Sequence, residues 1–179
     1  KLKSPQKEDI KNLQKTYSVY GKAKLLSTKF LMKLTKKYNF PATVIRLYLV
    51  YGPKQDLNRL IPITITNAIH NKKFDCSSGN QLRDFTYIDD LIEAIIKTLK
   101  SRHAVGEIIN IGSGKPISVK KLILKICKLS KGGKPQFGKI SFRKDEIIKL
   151  YPSIQKAKKI LNWKPRISLE NGLKKTIKF

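Results

Sequence analysis

Apolar and polar positions along the 179 residues follow two periods in turn. Leu25, Leu26, Phe30, Leu31, Leu34 and Tyr38 recur at three- and four-residue spacing, which predicts a helix from Ser18 or Val19 to near Tyr38. Asn39-Phe40-Pro41 ends it, because a proline pushes the residue before it out of helical geometry. Ala42 to Val50 is then nearly unbroken in β-branched and apolar side chains, as in a strand buried on both faces of a parallel sheet. A helix feeding such a strand is the repeating unit of a doubly wound α/β fold.

The same reading continues downstream. Tyr51-Gly52-Pro53 turns the chain at the carboxyl end of the strand, where open α/β sheets bind ligands. A polar loop, Lys54 to Arg59, leads through Leu60-Ile61-Pro62 into a helix ending near Asn71. Phe74 to Cys76 and Gln81 to Ile88 read as two strands around the turn Ser77-Ser78-Gly79-Asn80, and pair as a hairpin. Asp89 or Asp90 caps a helix over Leu91 to Leu99. Glu107 to Ile111 is a buried strand, Gly112-Ser113-Gly114 a turn, and Ser118 caps a helix from about Val119 to Leu129. Lys131 to Lys139 reads as an exposed loop and Ile140 to Phe142 as a short strand. Ser153 starts a helix through Leu161, Trp163 packs its end, and Ser168 caps the last helix. Lys1 to Lys15 is a polar lead-in loop. The chain opens on Lys, its only Met is Met32, and no strand precedes the first helix, so a piece of a longer protein is expected.

Charge alters this picture less than its size suggests. The formal net charge is +27, which favours polyanionic partners through counterion release. Only six of the 39 basic residues are Arg, however, and the Lys are scattered over every predicted helix. Specific nucleic-acid readers lean on Arg for bidentate contacts, and no zinc-finger spacing or basic tract interleaved with aromatics occurs. No specific nucleic acid is expected as a partner. No run of about 18 apolar residues is present, so no membrane span is expected. Cys76 and Cys127 stand apart without ligand partners and read as reduced thiols in a cytoplasmic protein, while His70 and His103 are isolated, so no metal site is expected.

The chemistry suggested by spacing lies in Tyr17 to Lys24. Tyr20 and Lys24 are four apart, which stacks them on one face of a helix. An ammonium beside a phenol favours the ionised form, and a phenol so tuned serves as a general acid/base.

With these residues in place, the chain resembles the extended short-chain dehydrogenase/reductase family, specifically its nucleotide-sugar epimerases and dehydratases. The resemblance rests on Tyr20-Gly-x-x-Lys24, Ile45-Arg-Leu-Tyr-Leu-Val-Tyr-Gly-Pro53, Leu60-Ile-Pro62, Gly79-x-Gln-x-Arg-Asp-Phe-x-Tyr-Ile-x-Asp90, Asn110-Ile-Gly-Ser-Gly114 and Lys156-Ala-Lys-Lys-x-Leu-x-Trp163, all in the family's order. It implies an α/β fold: the carboxyl-terminal part of a doubly wound, Rossmann-like parallel sheet plus a small α/β substrate-binding region. Residues 1–60 would be the remainder of the NAD(P)-binding core and 61–179 mainly the nucleotide-sugar region, with the 89–111 helix and strand returning to the core. The implied cofactor is NAD or NADP, the implied substrate a nucleoside-diphosphate sugar, and the implied full-length form a homodimer. Tyr20 would exchange a proton with a sugar hydroxyl while the nicotinamide takes or returns hydride at that carbon. Lys24 would hold the nicotinamide ribose, so both residues also touch the cofactor. Arg83 would meet the substrate diphosphate, as would Arg143, fourteen residues before Ala157; Arg59 would line the nucleotide side.

Three features depart from the family pattern. With nineteen residues before Tyr20, the glycine-rich phosphate loop, the residue choosing between NAD and NADP, and the catalytic Ser/Thr are absent. Leu49 stands where many members have Asn, and Ser77 replaces the first Gly of a Gly-x-Gly. An alternative is therefore a truncated, cofactor-free remnant or a partner-dependent chain without activity of its own; a basic nucleic-acid-binding protein is the more remote one.

Overall fold

The computed structural model describes residues 4–8, 18–143 and 146–179. Expectations for Tyr17, for Lys144-Asp145 and for most of the lead-in loop lie outside these residues. Helix α1 spans Val19–Tyr38; Ser18 Oγ accepts the Gly21 N–H at 3.0 Å and Asn39 closes the helix in the left-handed conformation. Thr28 is its one buried residue, on a stripe with half-buried Gly21, Leu25, Met32 and Thr35.

Strand β1, Val44–Leu47, runs parallel to β6, Ile108–Ile111. At Tyr48 the chain changes partners. The Tyr48 N–H donates to Ile111 O, the Leu49 N–H donates to Asp84 O at 3.2 Å, and β2, Leu49–Tyr51, runs parallel to β5, Phe85–Tyr87. The expected strand over 42–50 is thus two short strands with different neighbours. Nor is it buried on both faces, since Leu47 is 49% exposed. Among the described residues β1 is paired along one edge alone, and that leaves it half-open. Strand β6 is buried at every position.

Helix α2 covers Leu60–Ile69 and strand β3 Lys73–Cys76. The expected hairpin does not form. β3 instead runs parallel to β8, Lys134–Phe137, within the segment expected to be an exposed loop. Strand β4, Leu82–Arg83, lies between β7, Ile117–Ser118, antiparallel, and β9, Lys149–Leu150, parallel. The reason lies at the start of helix α4, Val119–Ser130. Its first-turn N–H groups need acceptors, and Val119 and Lys120 find them in Gln81 O and Gly79 O, which draws the 79–82 stretch to α4. Gly79 has φ +71° and an added Cβ would collide with Lys120, so this approach requires glycine. Ile140 to Phe142 forms no strand.

Helix α3, Ile88–Lys100, starts earlier than its pattern suggests, with Tyr87 as N-cap. Neither Asp89 nor Asp90 caps it. Asp90 is buried, and its two carboxylate oxygens accept the backbone N–H groups of Arg166 at 2.9 Å and Ile167 at 3.1 Å. Helix α5 is Gln155–Leu161, two residues later than Ser153 implies, and α6 is Leu169–Lys178, capped by Ser168 as expected. Trp163 is 1% exposed and its Nε1–H donates to Asp90 O at 3.1 Å. It sits in a core of Leu91, Ala94, Ile109, Ile111, Ala157 and Leu161, where α3 and α5 cover β6. A second core joins Tyr51, Phe85 and Tyr87 to Ile61 and Ile65 of α2, Leu122 and Ile126 of α4, and Leu173 of α6. No helix among the described residues is long and apolar enough to cross a membrane.

Asp84, at the β4–β5 junction, is buried and accepts the Ser113 N–H at 2.6 Å and the Ser113 hydroxyl at 3.0 Å. Burial pushes its carboxyl above the usual aspartate range, against the pull of the Ser113 donors.

Two outcomes are expected. Trp163→Ala should lower the stability of the chain in urea unfolding by about 3–5 kcal/mol, because a large buried ring and the Asp90 contact are both lost. For Asp84 the native state holds the proton more tightly than the unfolded chain. Its contribution to stability is therefore full below the unfolded value of about 3.9 and declines as pH rises through its raised native value. Urea midpoints stepped from acid to neutral pH should show this decline in the wild-type chain relative to Asp84→Asn; a flat difference would contradict it.

Candidate functional site

The Tyr20–Lys24 pair lies on the first turns of α1, where Ser18 starts the helix and the four-residue spacing aligns the two side chains. Lys24 Nζ stands over the Tyr20 ring, 5.6 Å from its centroid. Tyr20 is 73% exposed, open to a ligand arriving at that face.

Arg83 is set differently. It ends β4, its side chain is 12% exposed, and its guanidinium is held by two acceptors. Nη1–H donates to Leu82 O at 2.8 Å, and Nη2–H donates to the Glu146 carboxylate in a close ion pair. Burial lowers the guanidinium pKa from its ordinary value while the Glu146 charge raises it. Glu146 reaches it because β9 is docked on β4, with the Leu82 N–H donating to Ile148 O at 2.7 Å. Arg143 is exposed, and its carbonyl accepts the Glu146 N–H at 3.0 Å. Arg59 is the exposed N-cap residue of α2, without a side-chain capping bond, and its carbonyl accepts the Ile63 N–H at 3.0 Å. The structure brings Tyr20 to Lys24 and Glu146 to Arg83. Among the described residues no hydrogen bond or ion pair joins Arg59, Arg83 or Arg143 to one another or to the Tyr20–Lys24 pair.

Three elements escaped the sequence reading. Glu146 is the first, since a two-residue strand such as β9 carries no period that would reveal its neighbour. The second is the 4–8 segment, which lies along Pro152: the Gln6 N–H donates to Tyr151 O, Gln6 O accepts from Ser153 N–H and Asn110 Nδ2–H, and the Glu8 carboxylate accepts the Asn110 N–H at 3.1 Å. The third is Tyr48, whose phenol burial pushes up to about 12 beside the half-buried Arg46. The Arg46 and Asn110 motifs were visible in sequence, but their partners come from a segment with no regular pattern.

The Lys24 ammonium and the Tyr20 phenol are the donors that could hold a hydroxylated ligand on this face. An ammonium with three N–H donors matches a ribose diol, and a phenol beside it can hand on a proton.

The GDP-mannose 4,6 dehydratase family profile matches residues 1–176. A UDP-glucuronate 4-epimerase of Thermodesulfobacterium geofontis is 39% identical over 142 residues, covering 78% of this chain and 43% of that protein. Among solved structures, Pal from Bacillus thuringiensis superposes with a TM-score of 0.84 at 32% identity, covering 92% of this chain and 53% of its own. A UDP-glucuronic acid 4-epimerase from Bacillus cereus, solved with UDP-glucuronic acid and NAD, gives 0.81 at 29% identity, covering 89% and 51%. The chain spans about half the length of the relatives it matches. From its family profile, its relatives and its half-Rossmann architecture, the chain belongs to the GDP-mannose 4,6-dehydratase family, among the NAD-dependent nucleotide-sugar epimerases and dehydratases of the extended short-chain dehydrogenase/reductase group.

Proposed function

We propose that this chain is the catalytic and substrate-binding carboxyl-terminal part of an NAD(P)-dependent nucleotide-sugar epimerase or dehydratase. The observation that carries the reading is the Lys24 ammonium poised over the exposed Tyr20 ring, within a family match that runs almost end to end. Residues 1–60 belong to the cofactor core and 61–179 mainly to the sugar-nucleotide region. The parallel pairing of β1 with β6, which ends the 89–111 segment, supports the return of that segment to the core.

In this reading Tyr20 and Lys24 would hold the nicotinamide end of the cofactor, which would supply hydride chemistry at a sugar carbon. Tyr20 takes the proton of the sugar hydroxyl at that carbon and gives it back when the carbonyl is reduced again. Lys24 holds the ribose hydroxyls with its N–H donors and keeps a positive charge beside the phenol. Arg83 and Arg143 clamp the diphosphate, each guanidinium offering a planar fork to phosphate oxygens. Arg59 lines the nucleotide side. NAD is the cofactor of the Bacillus cereus neighbour, and NADP is the alternative.

A second reading is favoured by the outer face of α1 and the edge of β1. Val19, Leu26 and Phe30 recur at helical spacing on the side away from Thr28, and all are exposed. With β1 paired on one edge, the chain carries two surfaces that ordinarily demand cover. The 179 residues by themselves then act only with a covering partner.

In the complete enzyme, Tyr20→Phe should cut kcat by about 10²–10⁴-fold. Its far-UV circular dichroism should be unchanged because the ring is exposed. Turnover at the wild-type rate would sink the first reading. For the second, sedimentation of the 179-residue chain should show concentration-dependent association, and a monomer at every concentration would remove it.

A further inference from the structure

The ion pair between Arg83 and Glu146 sits where the proposed function needs a free cation. A half-buried guanidinium without a counter-charge is costly. Arg83 is already oriented without Glu146, because it stands on a strand paired on both sides and donates through Nη1 to Leu82 O. Glu146 therefore supplies charge rather than alignment. The Glu146 N–H also donates to Arg143 O, so a carboxylate and a second guanidinium stand three residues apart in one segment of the sequence. That segment is anchored by the pairing of β9 with β4, so the Glu146 side chain can turn away while its backbone remains docked.

We propose that Glu146 is a resident stand-in for the substrate diphosphate. It neutralises Arg83 while the site is empty and is displaced when the diphosphate arrives, which passes Arg83 to the ligand, with the exposed Arg143 as the second fork. A diphosphate carries more negative charge than one carboxylate and offers several acceptor oxygens to a pair of forks, so it wins the exchange. The competition sets a threshold. A ligand with a single weak negative charge has little to gain over Glu146, whereas a nucleoside diphosphate does. Glu146 is thereby a specificity-determining residue that selects for the diphosphate group, and this rests on the reading of Arg83 as a diphosphate ligand.

The test is isothermal titration of the complete enzyme with inorganic pyrophosphate and, in parallel, with inorganic phosphate. Glu146→Gln should bind pyrophosphate about five-fold or more tightly than wild type, at the lower end of ordinary coupling between competing contacts. The ratio of pyrophosphate to phosphate affinity should shrink in the same variant. Glu146→Ala should behave alike, since charge and not shape is what competes. Arg83→Gln should weaken pyrophosphate binding, and Arg83→Gln combined with Glu146→Gln should show no gain over Arg83→Gln alone. Unchanged or weaker binding in Glu146→Gln, with Arg83→Gln impaired, would overturn the displacement and make Glu146 a permanent orienter. Unchanged binding in Arg83→Gln would instead overturn the diphosphate reading of Arg83 itself, and the proposal with it. Circular dichroism of each variant separates a lost site from a lost fold.

Discussion

A buried carboxylate must find donors, and in this chain Asp84 and Asp90 find them far along the sequence. Asp84 takes the Ser113 N–H and hydroxyl, and Asp90 takes the N–H groups of Arg166 and Ile167. Between them lies β5, six residues from one carboxylate to the other, so a single short stretch ties the turn after β6 to the entry of α6. Trp163 adds a third tie to the Asp90 carbonyl. If either carboxylate lost its partners, an uncompensated charge would remain in the interior, so these ties are held together with the core.

The same constraint shapes close packing around β2 and β5. Tyr51 and Tyr87 meet edge to face at 5.6 Å between ring centroids. The Tyr51 hydroxyl donates to Leu169 O at 3.2 Å, giving the buried ring a polar outlet. Gly172 of α6 faces this pair without room for a Cβ, which lets the last helix close onto the sheet. The Arg83 motif thus runs into this core through Phe85 and Tyr87, with Glu146 paired to Arg83.

Charge is distributed by the opposite logic. With +27 overall, anionic side chains are scarce, and the few present are placed with care. Two are buried as structural ties, one neutralises Arg83, and exposed Glu170 is held down to about 2 chiefly by hydrogen bonds from Lys125 and Lys174. The abundant Lys side chains are spread over the surface, as their scatter along the sequence implies. Of the cations in the proposed chemistry, two have a specific neighbour among the described residues: Lys24 stands over Tyr20, and Arg83 pairs with Glu146.

Helices with their own caps and periodicity were legible in the sequence, because these signals are local. The expected Ser118 and Ser168 caps each accept a first-turn N–H, and Ser18, one of the two expected starts of α1, does the same. The four-residue spacing of Tyr20 and Lys24 likewise determined their meeting, since helical geometry alone brings them together. Strand partners were not legible. The segments 74–76 and 81–88 look like a hairpin when only their own residues are weighed, yet β3 pairs with β8 and β4 with β7 and β9. Two-residue strands hold too little pattern to declare a neighbour, and β8 hides its strand character behind Lys, Pro and flanking glycines. Asp90 could not be told apart from a helix cap, because a carboxylate in the first turn looks the same whether its acceptors serve its own helix or a loop 76 residues away. The motifs thus singled out the candidate residues and the helix that carries Tyr20 and Lys24, while only the tertiary structure decided the strand pairing and the identity of the Arg83 partner, because those depend on contacts between segments distant in the chain.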